Sequence, residues 1–274
     1  MSPLRSLTIA AAVMMATSAS AAELNVIAAG ATRGVLGQMI DDYSRQTGQK
    51  FNFTIGPTGL LRDTIASGKP MDLVITSATL MGELEKTGRI TPGSRVNIGR
   101  LGMGVVIRDG TAIPDISTPE AVKQALTEAK TIAYTDPKLG GTSFLHLAKI
   151  ADRFGIKDDV LRKGVTATGG DDAAAKVAEG KADIALILVS EVHAKNAKLV
   201  GLLPEAIQLW TVYAAAIPLS SADPAAARAF VAALTGPSMP RYASNQSSTR
   251  NAYSELIKYM TENMSSYITT PAWV

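Results

Sequence analysis

Residues 55–77 read IGPTGLLRDTIASGKPMDLVITS, and this stretch restricts the fold more than any other. An extended run ends in Gly56-Pro57-Thr58-Gly59, and a helix-period apolar stripe follows at Leu60, Leu61, Thr64 and Ile65. Gly68-Lys69-Pro70 stops that helix, and Met71-Asp72-Leu73-Val74-Ile75 forms a second strand ending in Thr76 and Ser77. Gly56 and Gly59 predict a sharp turn, with the Thr58 hydroxyl placed to cap the helix. The same order occurs just upstream. LNVIAA is a strand, Gly30-Ala31-Thr32-Arg33-Gly34 a loop, and a helix begins at Val35. Two such units in series predict a parallel sheet with two helix N-termini on one edge, where open α/β sheets bind ligands. Free N–H groups and the helix dipole hold a small anion there without a metal or a lysine. Gly-rich turns of this kind are common in α/β proteins, so the pair carries more weight than either loop alone.

The rest of the chain repeats this logic. Residues 95–108, RVNIGRLGMGVVIR, predict a long extended segment whose glycines mark bends or close backbone approach. Pro119 opens a helix capped by Ser117 or Thr118. A strand at residues 131–134 leads into a third Gly-rich loop at residues 136–143, which contains Thr142 and Ser143. A strand at residues 165–168 leads into a fourth, Gly169-Gly170-Asp171-Asp172. DIALILV is a buried-type strand ending at Ser190 and Glu191, and LWTVYAAAIP is a second long extended segment. Two crossings between two α/β lobes predict a clam-shell with a cleft between them. The expected division is residues 23–100 with 213–274 in the first lobe and 101–212 in the second.

Residues 1–22 carry Arg5, an apolar core and Ala19-Ser20-Ala21, the pattern of a cleaved secretory signal, which predicts a periplasmic protein. Later segments lack the length and apolar content of a membrane span, so no membrane insertion is expected. The chain has no cysteine, which excludes disulfides, thiolate chemistry and Cys-type zinc sites. A mature domain of about 250 residues buries enough core to fold without disulfides. The formal charge is +3 with scattered Lys and Arg, an arrangement without the basic run of a nucleic-acid binder. Tyr253, Leu256, Ile257 and Met260 predict one amphipathic helix in the tail. Ser-His-Asp order, HExxH and Walker loops are absent from the sequence, so hydrolase, zinc protease and NTPase readings have no support, and no cofactor is expected.

LNVIAAGATRGVL, ASGKPMDLVITSA, IAYTDPKLGGTS and ADIALILVSE together resemble the periplasmic molybdate-binding proteins of ABC importers and their paralogues. The resemblance covers roughly residues 24–237. It implies a type II periplasmic-binding fold, with two α/β lobes joined by two crossing strands. It also implies a monomer that serves an ABC permease. Such proteins hold an oxyanion with neutral donors from their loops. Those positions fall at Ala31 and Thr32, at Thr58 and Gly59, at Thr142, at Gly170, and, for a tyrosine hydroxyl, at Leu188.

Leucine cannot donate, and Arg33 adds a charge beside the first loop. Arginine pairs with carboxylates in a bidentate manner, which favours an organic di- or tricarboxylate over molybdate. Thr32, Thr58, Ser77, Thr142 and Ser143 would supply neutral hydrogen bonds, while Arg62 reads as a solvated helix residue. The same superfamily includes aconitate isomerase, which interconverts cis- and trans-aconitate by proton transfer. Receptor and isomerase are therefore both open. Asp171, Asp172, Glu191 and His193 are the available bases, with Asp171 and Glu191 the catalytic candidates. Asp171 and Asp172 also read as ordinary helix-start acids, and His146 and His193 as surface residues on helix faces.

Overall fold

The computed structural model describes residues 23–235. The expected signal segment and the tail helix around Tyr253, Leu256, Ile257 and Met260 lie outside them.

Nearly continuous apolar strands form where helices cover both faces of a sheet. In the first lobe β1 (Leu24–Ala29) lies between β2 (Phe51–Gly56) and β3 (Leu73–Ser77), parallel to both. The alternation of side chains along β3 sends Leu73 and Ile75 to one face and Val74 to the other. One face packs Leu73 and Ile75 with Leu36 of α1 (Arg33–Thr47) and with Phe230 and Leu234 of α8 (Pro224–Thr235). The other packs Val74 with Leu61 and Ile65 of α2 (Thr58–Ala66) and Leu80 and Met81 of α3 (Ala78–Lys86).

The lobes are joined through β4 (Val96–Arg108) and β9 (Trp210–Ala216). β4 pairs antiparallel with β9 over residues 96–102, then with β7 (Ile184–Leu188) and β8 (Ala197–Leu202) over residues 103–108. β9 returns antiparallel to β3, which gives the strand order β2-β1-β3-β9-β4-β7, continued beyond β7 by the strands at residues 132–135 and 164–167. Gly102 and Gly104 sit at this changeover. A side chain on Gly104 would meet the Gly201 carbonyl at 2.6 Å, and one on Gly102 would meet Leu202 at 2.7 Å. The close approach expected of the glycines in this segment holds at these two, whereas Gly99 has open space.

The second lobe places β5 (Ile132–Thr135) parallel to β6 (Gly164–Ala167) and β7. α4 (Pro119–Glu128) and α5 (Thr142–Arg153) cover one face through Leu126, Phe144 and Leu147. α7 (Gly170–Ala178) covers the other through Ala174 and Val177. Thr118 caps α4 by accepting from the Ala121 N–H at 3.1 Å, as its position before Pro119 predicts.

Several local expectations change. Thr58 is the first residue of α2 rather than its cap, and Pro57 holds the capping position without a side-chain bond. Neither Gly56 nor Gly59 has a left-handed φ, so neither supplies a left-handed turn. The apolar stripe of α2 narrows to Leu61 and Ile65, with Leu60 exposed. Two elements were not anticipated: α6 (Lys157–Arg162), which buries only Val160, and β8, whose pairing with β4 shifts register between Val105 and Val106. Among the described residues no helix is long and apolar enough to cross a membrane.

Candidate functional site

Four loops meet where the lobes face one another. In the first lobe a 3-10 turn over Gly30–Thr32 joins β1 to α1, and Pro57 joins β2 to α2. In the second, a 3-10 turn over Pro137–Leu139 precedes α5, and Gly169 precedes α7. A further 3-10 turn over Val189–Glu191 leaves the end of β7.

These loops touch directly. The Thr58 and Thr142 hydroxyls lie 3.3 Å apart, one from each lobe. A β-carbon on Gly59 would collide with the Leu139 carbonyl, so the glycine is what allows α2 to approach the second lobe. Ser190 donates its hydroxyl to the Ala31 carbonyl at 2.7 Å, tying the turn after β7 to the first-lobe turn. Arg33, at the start of α1, places Nε 3.2 Å from Asp171 Oδ2 at the start of α7. His193 Nε2 stands 3.7 Å from the other oxygen of Asp171.

Glu191 occupies the centre of this junction and is only 8% exposed. Its Oε2 accepts the Leu188 N–H at 3.2 Å, and the carboxyl also takes the N–H of Gly170 at the first turn of α7. A side chain on Gly170 would collide with the Glu191 carboxyl, so glycine there admits it to the helix terminus. Oε1 points toward the first lobe, 3.9 Å from where a β-carbon on Gly30 would stand. Burial and the neighbouring Asp171 charge push Glu191 up to about 8, against the two N–H bonds that favour its ionised form. Burial raises Asp171 too, against the pull of His193 and Arg33. Arg33 and His193 favour the ionised form of Asp171, while the Asp171 charge opposes ionisation of Glu191. Tyr213, on β9, is pushed far up by burial and by the Glu191 charge and keeps its proton.

The comparison with known proteins agrees with this two-lobed arrangement. Residues 24–241 match the family described as bacterial extracellular solute-binding protein. The chain belongs to that family. It is 28% identical over 215 residues to an aconitate isomerase of Pseudomonas sp, covering 76% of this chain and 80% of that one. It is 26% identical over 194 residues to the molybdate-binding protein ModA of Azotobacter vinelandii, covering 69% and 73% respectively. The solved periplasmic molybdate-binding protein of the same organism superposes with a TM-score of 0.66 at 23% identity, over 79% of this chain and 94% of that one. The fold is therefore the type II periplasmic-binding fold that the sequence resemblance implies.

Most of the other nominated residues have definite partners within the fold. The Thr32 hydroxyl donates to the Ala29 carbonyl at 2.7 Å, and Ser77 caps α3 by accepting from the Leu80 N–H at 3.4 Å. Ser143 is buried in the first turn of α5. Arg62 pairs with Glu83 at 2.8 Å on the exposed face of the first lobe, as a solvated helix residue does. Asp172 accepts from the Thr168 N–H and pairs with Lys176, which is the expected helix-start role. Asp171 departs from that reading, because its side chain faces Arg33 rather than its own helix. His193 is exposed, as a surface residue is, but its place in the fold differs. It follows the turn after β7 instead of riding on a helix, and it reaches Asp171. Leu188 packs in the same apolar cluster as Tyr213, which explains a leucine at the end of β7. Sequence reasoning did not single out Ser190 or Tyr213. Ser190 is the chain neighbour of Glu191, and the fold brings its hydroxyl to Ala31, whereas Tyr213, within LWTVYAAAIP, reaches Glu191 only through the fold.

Proposed function

We propose that the chain is a periplasmic receptor of an ABC-type importer that closes its lobes on a small organic di- or tricarboxylate. The observation that carries this reading is the pairing of uncharged donors across the lobes, with Thr58 facing Thr142, beside an arginine at the mouth of α1. Uncharged hydroxyls bind an anion without stripping a counter-charge, and Arg33 offers a planar fork that a ligand carboxylate contests with Asp171. Leu188 supplies no side-chain donor, which weakens the site for a tetrahedral oxyanion such as molybdate. Isothermal titration with trans-aconitate and with molybdate tests the reading. Saturable binding of the tricarboxylate and weaker binding of molybdate is expected, and the reverse order contradicts it.

One observation favours a second reading, proton transfer on the same ligand. A Glu191 carboxyl pushed up to about 8 beside Asp171, whose ionised form Arg33 and His193 favour, offers an acid and a base for an allylic proton shift, and the isomerase among the relatives points to the same chemistry. A base would remove a proton from the methylene of aconitate, the electron pair would delocalise over the double bond and a carboxylate, and a proton would return at the other allylic carbon. No metal is needed for that sequence. Proton NMR of trans-aconitate in heavy water with the protein decides between the readings. Deuterium in the methylene or the appearance of the cis isomer establishes turnover, and unchanged spectra leave the receptor alone.

A further inference from the structure

Glu191 is a buried carboxyl at the junction of the two lobes, between the start of α7 and the Gly30 turn. Oε2 accepts the Leu188 N–H, the carboxyl also takes the Gly170 N–H, and Oε1 lies toward the Gly30 turn of the opposite lobe. We propose that Glu191 is the ligand-selecting residue of the cleft, a carboxyl that admits an anion only while protonated, its O–H donating to an anionic group of the ligand. This rests on the small-anion reading above and adds the residue that enforces it.

The groups around Glu191 support the assignment. On α7, Asp171 carries the charge stabilised by Arg33 of α1 and flanked by His193. A second ionised carboxylate beside it is opposed, so the proton stays on Glu191. Tyr213 of β9 is a neutral phenol. β4, packed against the same turn, contributes Met103 opposite Leu188 and the uncharged Gly104 beneath Val189. The Gly30 turn adds no titratable group on the side that Oε1 faces. Once Glu191 ionises, the same position presents a negative charge to an incoming anion.

The test is titration calorimetry of the wild-type protein and Glu191→Gln with trans-aconitate and, separately, molybdate between pH 7 and 9.5. Both probes stay fully ionised across that range. For whichever binds at pH 7, wild-type affinity should fall about tenfold per pH unit above about pH 8, with uptake of about one proton per anion bound. Glu191→Gln keeps a neutral donor and should bind with affinity independent of pH and no proton uptake. Wild-type affinity that does not change with pH, or an equal slope in Glu191→Gln, overturns the inference and leaves the receptor reading standing. If Glu191→Gln fails to fold, proton uptake by the wild-type protein at pH 9 decides alone, and its absence overturns the inference. If neither probe binds at pH 7, the small-anion reading falls and this inference falls with it.

Discussion

Asp72 and Glu191 are both buried carboxyls, and their surroundings drive them in opposite directions. Asp72 opens the turn into β3 and accepts from the Asn25 N–H at 2.9 Å and the Ala222 N–H at 2.8 Å, with the Ser221 hydroxyl at 3.3 Å. Burial alone would raise it, but the N–H bonds from Asn25, Ala222 and Asp223 overcome that and hold it below the ordinary carboxylate range. Its contribution is therefore present above that range and lost as pH falls into it. Asp72→Ala strips three backbone donors of their acceptor and should cost about 1.5–3 kcal/mol at pH 7, read from urea unfolding. Glu191 has the opposite sign. Its folded value of about 8 lies above that of an exposed glutamate, so its contribution is complete below the ordinary range and lost as pH rises toward 8. The wild-type protein should lose up to about 1.4 kcal/mol per pH unit from this group between pH 5 and 8. Glu191→Gln should show a flatter profile there, and an unchanged slope would mean that Glu191 is ionised in the folded protein.

At the scale of elements, the contact of α2 with the 3-10 turn at Pro137–Leu139 is set by a single missing side chain. Gly59→Ala should force the two apart, raising the radius of gyration in X-ray scattering while the far-UV circular dichroism stays unchanged. Gly37, on α1 with open space around it, is the control. Gly37→Ala should leave the scattering unchanged and stabilise the helix by about 0.5–1 kcal/mol. Most elements were legible because their signals are local. The strands at LNVIAA, DLVIT and DIALILV are continuous apolar runs, and Gly48, Gly88 and Pro119 mark helix ends and starts. α6 and β8 were not legible, since six residues with one buried valine and a strand containing Gly201 carry little periodicity. The Thr58 cap failed for a tertiary reason, as its hydroxyl is directed across the cleft to Thr142 rather than to its own helix. The loops of the site could be nominated from their glycines and hydroxyls. The meeting of Arg33 with Asp171, and of Ser190 with Ala31, depends on how two lobes close, which no local pattern encodes.

At the scale of the whole molecule, two lobes hinged on β4 and β9 bring four helix-start loops to one place. Polar contacts between the lobes there include Thr58 with Thr142, Ser190 with Ala31 and Arg33 with Asp171. The Arg33–Asp171 pair is partly exposed and contributes less than about 1 kcal/mol to closure by itself. A ligand carboxylate that takes over Arg33 therefore has little to displace. The most direct measurement is saturation-transfer NMR of trans-aconitate with the purified protein, repeated with Thr58→Ala/Thr142→Ala. Transfer of saturation to the ligand by the wild-type protein, lost or strongly reduced in the double variant, is the predicted result. No transfer from the wild-type protein, or equal transfer from both, would contradict a carboxylate site between the lobes.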